Sequence, residues 1–147
     1  LPTPWNAIFK WDPLKKLLDK PGAYQRFLRG APSYASDYAA AQQYDAYWVD
    51  APATNMASLN PNPQPGRVIE LKAGWNNFTY TGTSRAVADA LGSISGKYTQ
   101  VLQYDNATGA WLSHLPGQPR YLNDFGGLFT LKVYWVFMTT DAALVMN

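Results

Sequence analysis

A gapless internal match constrains the fold of this 147-residue chain more than any other feature. Residues 24–49, YQRFLRGAPSYASDYAAAQQYDAYWV, align with residues 111–136, WLSHLPGQPRYLNDFGGLFTLKVYWV, without insertion or deletion. Upstream, residues 5–12 (WNAIFKWD) align with residues 98–105 (YTQVLQYD) once six extra residues are allowed in the first segment. Eight of the 26 positions in the longer match are identical: Leu28 with Leu115, Gly30 with Gly117, Pro32 with Pro119, Tyr34 with Tyr121, Asp37 with Asp124, and the two Tyr-Trp-Val triplets. Such a match in register predicts that one structural module occurs twice.

The second copy indicates which strands the module uses. RVIELKAGWNNFTYTG, which begins at Arg67, alternates apolar and polar residues and predicts one or two strands interrupted near Gly74. Residues 98–115 predict a hairpin whose turn runs from Asn106 to Gly109. The segments LKVYWVFMTT and ALVM predict two further strands.

One helix is expected between these strands, in the segment TSRAVADALGSI. Thr83 or Ser84 is a candidate N-cap, because a hydroxyl oxygen there can accept a hydrogen bond from the first turn. Val87, Leu91 and Ile94 recur at helical spacing and share one face. The pattern predicts a short amphipathic helix.

Together these patterns predict an α+β, β-rich fold made of two pseudo-repeats of a small antiparallel-sheet module. Residues 1–57 are a partial copy, residues 58–66 are a proline-rich connector, and residues 67–147 are the complete copy. The partial copy lacks a counterpart of GWNNFTYTG and of the helix. Since an unpaired sheet edge invites pairing with another chain, we expect self-association, as a homo-oligomer, or a partner subunit that supplies a strand.

Composition narrows the classes of function. The chain has no cysteine and one histidine, so thiolate metal sites and disulfides are excluded, and no metal or cofactor is expected. A net charge of +2 without a basic cluster argues against nucleic acid as a partner. No apolar run approaches the roughly 18 residues that a membrane helix needs, so membrane insertion is not expected.

Catalytic constellations are weak in this sequence. His114 could be combined with Ser113 or Ser93 and with Asp105 into a Ser-His-Asp site, but a lone histidine on a predicted strand is more typical of a structural residue. Asp12 and Asp105 align with one another at turn positions, where aspartate usually caps its own turn. We therefore expect a protein that is not an enzyme and has no catalytic residues.

The 22 aromatic residues carry the remaining functional question. Aromatic positions that recur in both copies are expected to be structural core, and this group comprises Trp5, Trp11, Trp48, Tyr104 and Trp135. The alternative is a set of exposed rings near turns that bind a polysaccharide, and this group comprises Tyr24, Trp75 and Trp111.

The order of motifs in the second copy resembles a repeat module of large secreted or cell-surface proteins of bacteria and archaea. GWN at Gly74, the Tyr104-Asp105 hairpin, the aromatic at Trp111 and the final Tyr-Trp-Val strand carry the resemblance, which covers residues 68–147 well and residues 5–57 in part. The usual glycine before Tyr-Trp is Val133 here. The resemblance implies an extracellular or cell-surface location and a role in adhesion or surface assembly through protein contacts. It also allows a carbohydrate-binding module accessory to a secreted enzyme.

Overall fold

A computed structural model describes residues 5–52 and 62–147 of the chain. The chain divides into two compact units, residues 1–61 and residues 62–147, and each is described by itself. Residues 58–61 of the predicted connector lie outside the described residues. Its remaining part belongs to the second unit, because the Gln64 N–H donates to the Thr81 carbonyl at 3.0 Å and the Gly66 N–H to the Met146 carbonyl at 2.6 Å.

The first unit contains a three-stranded antiparallel sheet. Its strands are β1 (Ala7–Leu17), β2 (Lys20–Leu28) and β3 (Trp48–Asp50). The order is β2-β1-β3, so the long central strand β1 forms a hairpin with β2 and pairs on its other edge with β3. A 3-10 turn over Ser33–Ala35 lies in the connection from β2 to β3.

The second unit is larger and also antiparallel. Its elements are β4 (Arg67–Leu71), β5 (Gly74–Thr79), β6 (Arg85–Ala86), α1 (Val87–Ala90), β7 (Tyr98–Asp105), β8 (Ala110–His114), β9 (Gly127–Leu128), β10 (Val133–Met138) and β11 (Ala142–Met146). A four-stranded sheet has the order β5-β10-β7-β8, and two-stranded sheets join β11 to β4 and β6 to β9. The predicted β-rich fold, with several antiparallel sheets and one short helix, is confirmed.

The predicted helix cap at Thr83 or Ser84 is wrong. Helix α1 begins only at Val87, and its N-cap residue is Ala86, which has no side-chain capping bond. The Ser84 hydroxyl instead accepts the Thr130 backbone N–H at 2.9 Å. The helix starts late because the two residues before it pair as β6 with β9, and strand pairing provides their backbone partners.

The core of the second unit is a single cluster of fifteen buried residues. It includes Val87, Leu91 and Ile94, which were predicted to share one helix face, but only Val87 lies within α1: the helix ends at Ala90, and Ile94 lies in a 3-10 turn over Gly92–Ile94. Its members are Leu71, Phe78, Tyr80, Val87, Ala90, Leu91, Ile94, Tyr98, Val101, Leu128, Tyr134, Val136, Met138, Leu144 and Met146. Because side chains alternate along a strand, Tyr134 and Val136 of the Tyr-Trp-Val triplet point into this cluster and Trp135 points to the opposite face of the sheet. We call these two sides the core face and the aromatic face.

The strands that carry the Tyr-Trp-Val triplets, β3 and β10, which we call the closing strands, pair with their neighbours in the same register. Trp48 of β3 is opposite Phe9 of β1, and Trp135 of β10 is opposite Leu102 of β7, as the sequence match requires. The hairpins also correspond, with Trp11 opposite Tyr24 in the first unit. The equivalent pair in the second unit is Tyr104 opposite Trp111.

A carboxylate fastens each hairpin to the loop that follows it. The Arg26 N–H donates to the Asp37 carboxylate at 2.8 Å, and the Ser113 N–H donates to the Asp124 carboxylate at 2.7 Å. In return the Asp37 N–H donates to the Arg26 carbonyl at 2.8 Å, and the Asp124 N–H to the Ser113 carbonyl at 2.9 Å. The identical aspartates of the sequence match therefore have identical backbone partners.

The turn that enters the closing strand also has the same geometry in both units. Tyr44 and Leu131 align with one another, and both are non-glycine residues with positive φ, at 66° and 65°. Such a conformation costs roughly 1–2 kcal/mol for an L-residue, so its presence at both aligned positions reflects a shared structural requirement.

Candidate functional site

The closing strands of the two units differ in what lies beside them. In the second unit, β5 pairs with β10 along its whole length, from Val133 opposite Thr79 to Met138 opposite Gly74. In the first unit, as far as the structure describes it, β3 pairs with β1 and has no strand on its other edge. We call this second edge of β3 the open edge.

Burial on the core face follows the same difference. Val136 is fully buried, with 0% exposure, whereas the aligned Val49 is 47% exposed. Leu128 is fully buried in the second unit, and its counterpart Ala41 is exposed. Two aligned positions that are buried in the second unit are therefore exposed in the first.

A row of rings on the core face of the first unit ends at the open edge. Phe27 and Tyr38 have centroids 6.0 Å apart, and Tyr38 and Tyr47 have centroids 6.2 Å apart, both pairs tilted by less than 40°. The Tyr47 hydroxyl accepts the Gln42 N–H at 2.7 Å, which fixes the last ring. Tyr47 is partly exposed.

The corresponding row in the second unit continues past the tyrosine that aligns with Tyr47. His114, Phe125 and Tyr134 follow one another at 5.7 and 6.0 Å, and the Tyr134 hydroxyl accepts the Phe129 N–H at 2.8 Å. Phe78 of β5 then lies 6.2 Å from Tyr134 and completes the row. The ring that ends the row in the second unit is thus supplied by β5.

Burial raises the pKa of the phenols in both rows. It raises the pKa of Tyr38 to about 12, with a smaller contribution from the nearby Asp37 carboxylate. It also raises the pKa of Tyr47 and of Tyr134 above the ordinary tyrosine value. The Tyr38 hydroxyl donates to the Ile8 carbonyl at 3.0 Å. These hydroxyls therefore serve as hydrogen-bonding groups of the scaffold.

The aromatic face of the four-stranded sheet has a continuous strip of rings. Neighbouring centroids are 5.1 to 6.5 Å apart and the planes are steeply inclined, an arrangement that aromatic pairs favour. The strip consists, in spatial order, of Phe137, Trp75, Trp135, Trp111 and Tyr104. Trp111 is 49% exposed, so one end of this aromatic strip presents a large part of an indole ring at the surface.

The first unit has rings at the corresponding positions of its own sheet. Trp11 and Tyr24 are 5.2 Å apart, and Phe9 and Tyr24 are 6.4 Å apart. The Trp48 side chain donates a hydrogen bond to the Tyr24 hydroxyl, while burial raises the pKa of Tyr24 above the ordinary tyrosine value. Tyr24 is 43% exposed.

Of the five aromatics predicted as core, Trp135 is buried, and the other four, Trp5, Trp11, Trp48 and Tyr104, are partly buried. Trp11, Trp48, Tyr104 and Trp135 are on the aromatic faces, because side-chain alternation directs them away from the side that holds the core. Trp135 is only 8% exposed, since Trp75 and Trp111 cover it from both sides.

The fifth, Trp5, precedes β1. Its ring lies 5.9 Å from that of Phe27, and the Arg29 guanidinium stands 5.5 Å above it. A guanidinium at this distance from an indole favours a cation–π contact.

The structure combines the predicted ligand residues differently from the sequence analysis. Trp75 and Trp111 belong to one strip, in which each lies beside Trp135. Tyr24 is in the other unit. Sequence reasoning missed Phe137 as a member of the strip, although its position two residues after Trp135 places it on the same face.

The residues weighed for catalysis have structural partners. His114 Nδ1 lies 2.9 Å from the Phe125 carbonyl, and its ring packs on that of Phe125. Asp105 accepts the Ala107 N–H at 2.9 Å and the Thr108 hydroxyl at 2.7 Å. Asp12 accepts the Leu14 N–H at 2.9 Å in its own turn. Within residues 5–52 and 62–147, no three His, Cys, Asp or Glu side chains are grouped so as to hold a metal ion.

Among the described residues, no helix has the length and apolar character needed to cross a bilayer. Comparison of the chain with protein-family models, with curated proteins and with solved structures finds no match.

Proposed function

We propose that this chain is a non-catalytic extracellular module that acts in cell-surface assembly or adhesion through protein contacts made by its first unit. The observation that carries the proposal is the contrast between Val49, 47% exposed beside the open edge, and Val136, fully buried beside β5. Exposed apolar groups next to an unpaired strand edge are typical of a surface that another chain covers.

We further propose that the two units are pseudo-repeats of one module. Their shared strand register, paired Asp37 and Asp124 bonds, and aligned positive φ at Tyr44 and Leu131 support this. In that case the partial copy depends on another segment, through self-association or a partner subunit, for what the complete copy contains.

The extracellular location and the absence of catalysis are parts of the same proposal. The location follows from the resemblance to repeat modules of secreted and cell-surface proteins. A non-catalytic role is supported by the structural engagement of His114 with the Phe125 carbonyl and of Asp105 with its own turn.

Site-specific photo-crosslinking in the source cells tests this proposal. A photoreactive amino acid at position 49 should yield a crosslinked protein in the cell-envelope fraction. The matched control is position 68, also a valine on a strand and 55% exposed, where no crosslink is expected. A chain recovered only from the cytoplasm, or equal crosslinking at both positions, would contradict the proposal.

A carbohydrate-binding module is the second candidate function, and the aromatic strip favours it. Exposed indole and phenol faces can stack on the apolar face of a sugar ring, and Trp111 and Tyr104 form the accessible end of the strip. A polysaccharide would then be the partner, with no cofactor required.

Intrinsic tryptophan fluorescence during titration with soluble glycans tests the second candidate. Binding should shift or quench the emission. Trp111→Ala should weaken the affinity for the glycan at least about tenfold. Tyr121→Ala is the control, because Tyr121 is 84% exposed but is not part of the strip. Unchanged emission across a panel of cell-wall and storage polysaccharides counts against this candidate.

A further inference from the structure

We propose that the open edge of β3 binds an unpaired strand with the chemistry of β5, supplied by another protein chain. This inference rests on the function proposed above and specifies its partner. The occupant is a segment of the pattern Gly-Trp-Asn-x-Phe, read from residues 74–78 of this chain. It adds to the three-stranded sheet by antiparallel pairing.

The second unit provides the template for the missing pairing. Its strand β10 has β7 on one edge and β5 on the other, both antiparallel. Because β3 meets β1 in the register in which β10 meets β7, the geometry of one side of β3 is already that of the complete module. A strand beside its open edge therefore finds the same backbone spacing that β5 finds beside β10.

The short length of β3 agrees with an unfilled edge. Strand β10 extends over six residues, from Val133 to Met138, whereas β3 extends over three, from Trp48 to Asp50. In the longer strand, Val133 and Tyr134 pair with Thr79 and Phe78 of β5. A bound strand would extend β3 toward Ala46 and Tyr47, which align with that pair.

The side chains around the open edge indicate which residues the bound strand should have. On the core face, a ring is needed beside Tyr47, as Phe78 stands 6.2 Å from Tyr134. On the aromatic face, Trp75 stands 6.4 Å from Trp135, the residue that aligns with Trp48. Two aromatics three residues apart lie on opposite faces of a strand, so a Trp-x-x-Phe spacing places the phenylalanine on the core face and the tryptophan on the aromatic face.

A small amide completes the pattern. Asn76 is 3% exposed and lies opposite Val136, the counterpart of Val49. Its side chain accepts the Lys72 N–H at 2.9 Å and donates to the Lys72 carbonyl at 2.6 Å, which closes the turn before β5. An asparagine at this place lets the strand bury its start against the core face without an unpaired polar group.

An intact second copy is not the occupant that this chemistry favours. Its own β5 is already paired along six residues with its own β10. Releasing that strand would uncover Tyr134 and Val136, both fully buried. The donor is therefore a chain whose strand of this pattern has no β10 of its own to pair with.

The test uses the full chain and a synthetic peptide of residues 72–82, KAGWNNFTYTG. We expect saturable binding by isothermal titration calorimetry and slowed amide hydrogen exchange confined to β3 and the residues just before it. A peptide with aspartate in place of Phe78 is the matched control, and it should bind at least about tenfold more weakly. This control leaves the folding of the protein untouched.

Protein variants locate the binding. Val49→Asp should weaken the native peptide at least about tenfold, whereas Val68→Asp, at a comparably exposed valine of the second unit, should leave it unchanged. The inference is overturned by absence of saturable binding, by equal binding of the two peptides, or by exchange protection located in β10. The inference would also be overturned if the chain self-associates, if Val49→Asp abolishes this self-association, and if the peptide does not compete with it.

These outcomes separate the inference from the proposed function. A crosslink at position 49 without peptide binding would support a protein contact at that position and contradict strand addition. Peptide binding in a chain that stays in the cytoplasm retains the strand and rejects the surface role.

Discussion

Val49 and Val136 occupy the same register position in two units with the same hairpin, the same aspartate bonds and the same entry turn, yet one is half exposed and the other fully buried. The difference arises outside the aligned residues, from β5 and the layers beyond it. Local interactions thus form the sheet of each unit, and the neighbouring elements decide how much apolar area that sheet removes from water. Burial of this kind is worth roughly 25 cal/mol per Å².

The largest expected contrast is between Tyr134 and Tyr47. Tyr134→Ala removes a fully buried ring that contacts Phe78 and Phe125, so we expect a loss of about 3–5 kcal/mol in the free energy of unfolding of the second unit. Tyr47→Ala should cost the first unit clearly less, about 1–2 kcal/mol, because its ring is partly exposed. Amide hydrogen exchange measured on each unit separately checks both values. Equal losses would show that the Tyr47 ring is as well covered as the Tyr134 ring.

Substitution of the turn glycines should destabilise the first unit more than the second, the opposite of the order expected for the tyrosines. Gly22 and Gly109 align and both have positive φ, at 84° and 71°, but a Cβ at Gly22 would collide with the Trp11 ring. At Gly109 the nearest atom, the Tyr104 hydroxyl, would be in ordinary contact at 3.7 Å.

Gly22→Ala should therefore destabilise the first unit by about 3 kcal/mol, and Gly109→Ala should destabilise the second by about 1–2 kcal/mol. Denaturation followed by hydrogen exchange in each hairpin provides the measurement. A larger cost at Gly109 than at Gly22 would be inconsistent with the packing of Trp11 over its turn.

A pair of valine-to-alanine substitutions measures how much burial of the core face contributes to the stability of each unit. Val136→Ala should cost about 2 kcal/mol, since the valine is fully buried, and Val49→Ala should change stability by no more than about 0.5 kcal/mol. Chemical denaturation of the two variants gives the comparison. After saturation with the peptide of residues 72–82, the cost of Val49→Ala should rise toward that of Val136→Ala, and no rise would argue against strand addition.

The smallest expected effect is a dependence on acid. Backbone bonding from Arg26, aided by the Lys15 side chain, lowers the pKa of Asp37, and bonds from Thr108 and Ala107 lower the pKa of Asp105. A carboxyl group with a pKa lowered by folding stabilises the native state above its unfolded value, near 3.8. That contribution disappears as the pH falls through the folded value.

Both units should therefore lose some stability below about pH 4, in a urea titration series from neutral to acidic pH. Asp37→Asn should reduce this acid sensitivity in the first unit alone, and Asp105→Asn in the second unit alone. An acid response that neither variant alters would assign the effect to other carboxyl groups.

Much of the fold could be predicted from local signals. The hairpin of β7 and β8, the break near Gly74 and the shared burial of Val87, Leu91 and Ile94 all follow from residue periodicity and turn chemistry, although the helix itself ends at Ala90. The helix start could not be predicted, because pairing of β6 with β9 depends on residues more than 40 positions away. The candidate surfaces were predicted only in part: an open edge was expected for the first copy, whereas the strip that links Trp75, Trp135 and Trp111 was not.

The sequence by itself determined the β-rich character, the strand positions and the alignment of the two Tyr-Trp-Val triplets, because these depend on alternation and turns within short segments. Only the tertiary structure decided that Tyr134, Trp135 and Val136 are all buried, whereas Tyr47 and Trp48 are partly exposed and Val49 is exposed. Side-chain direction is fixed by the strand, but burial depends on the element packed against that face. That element is β5 with the core cluster for Tyr134 and Val136, and a pair of tryptophans for Trp135.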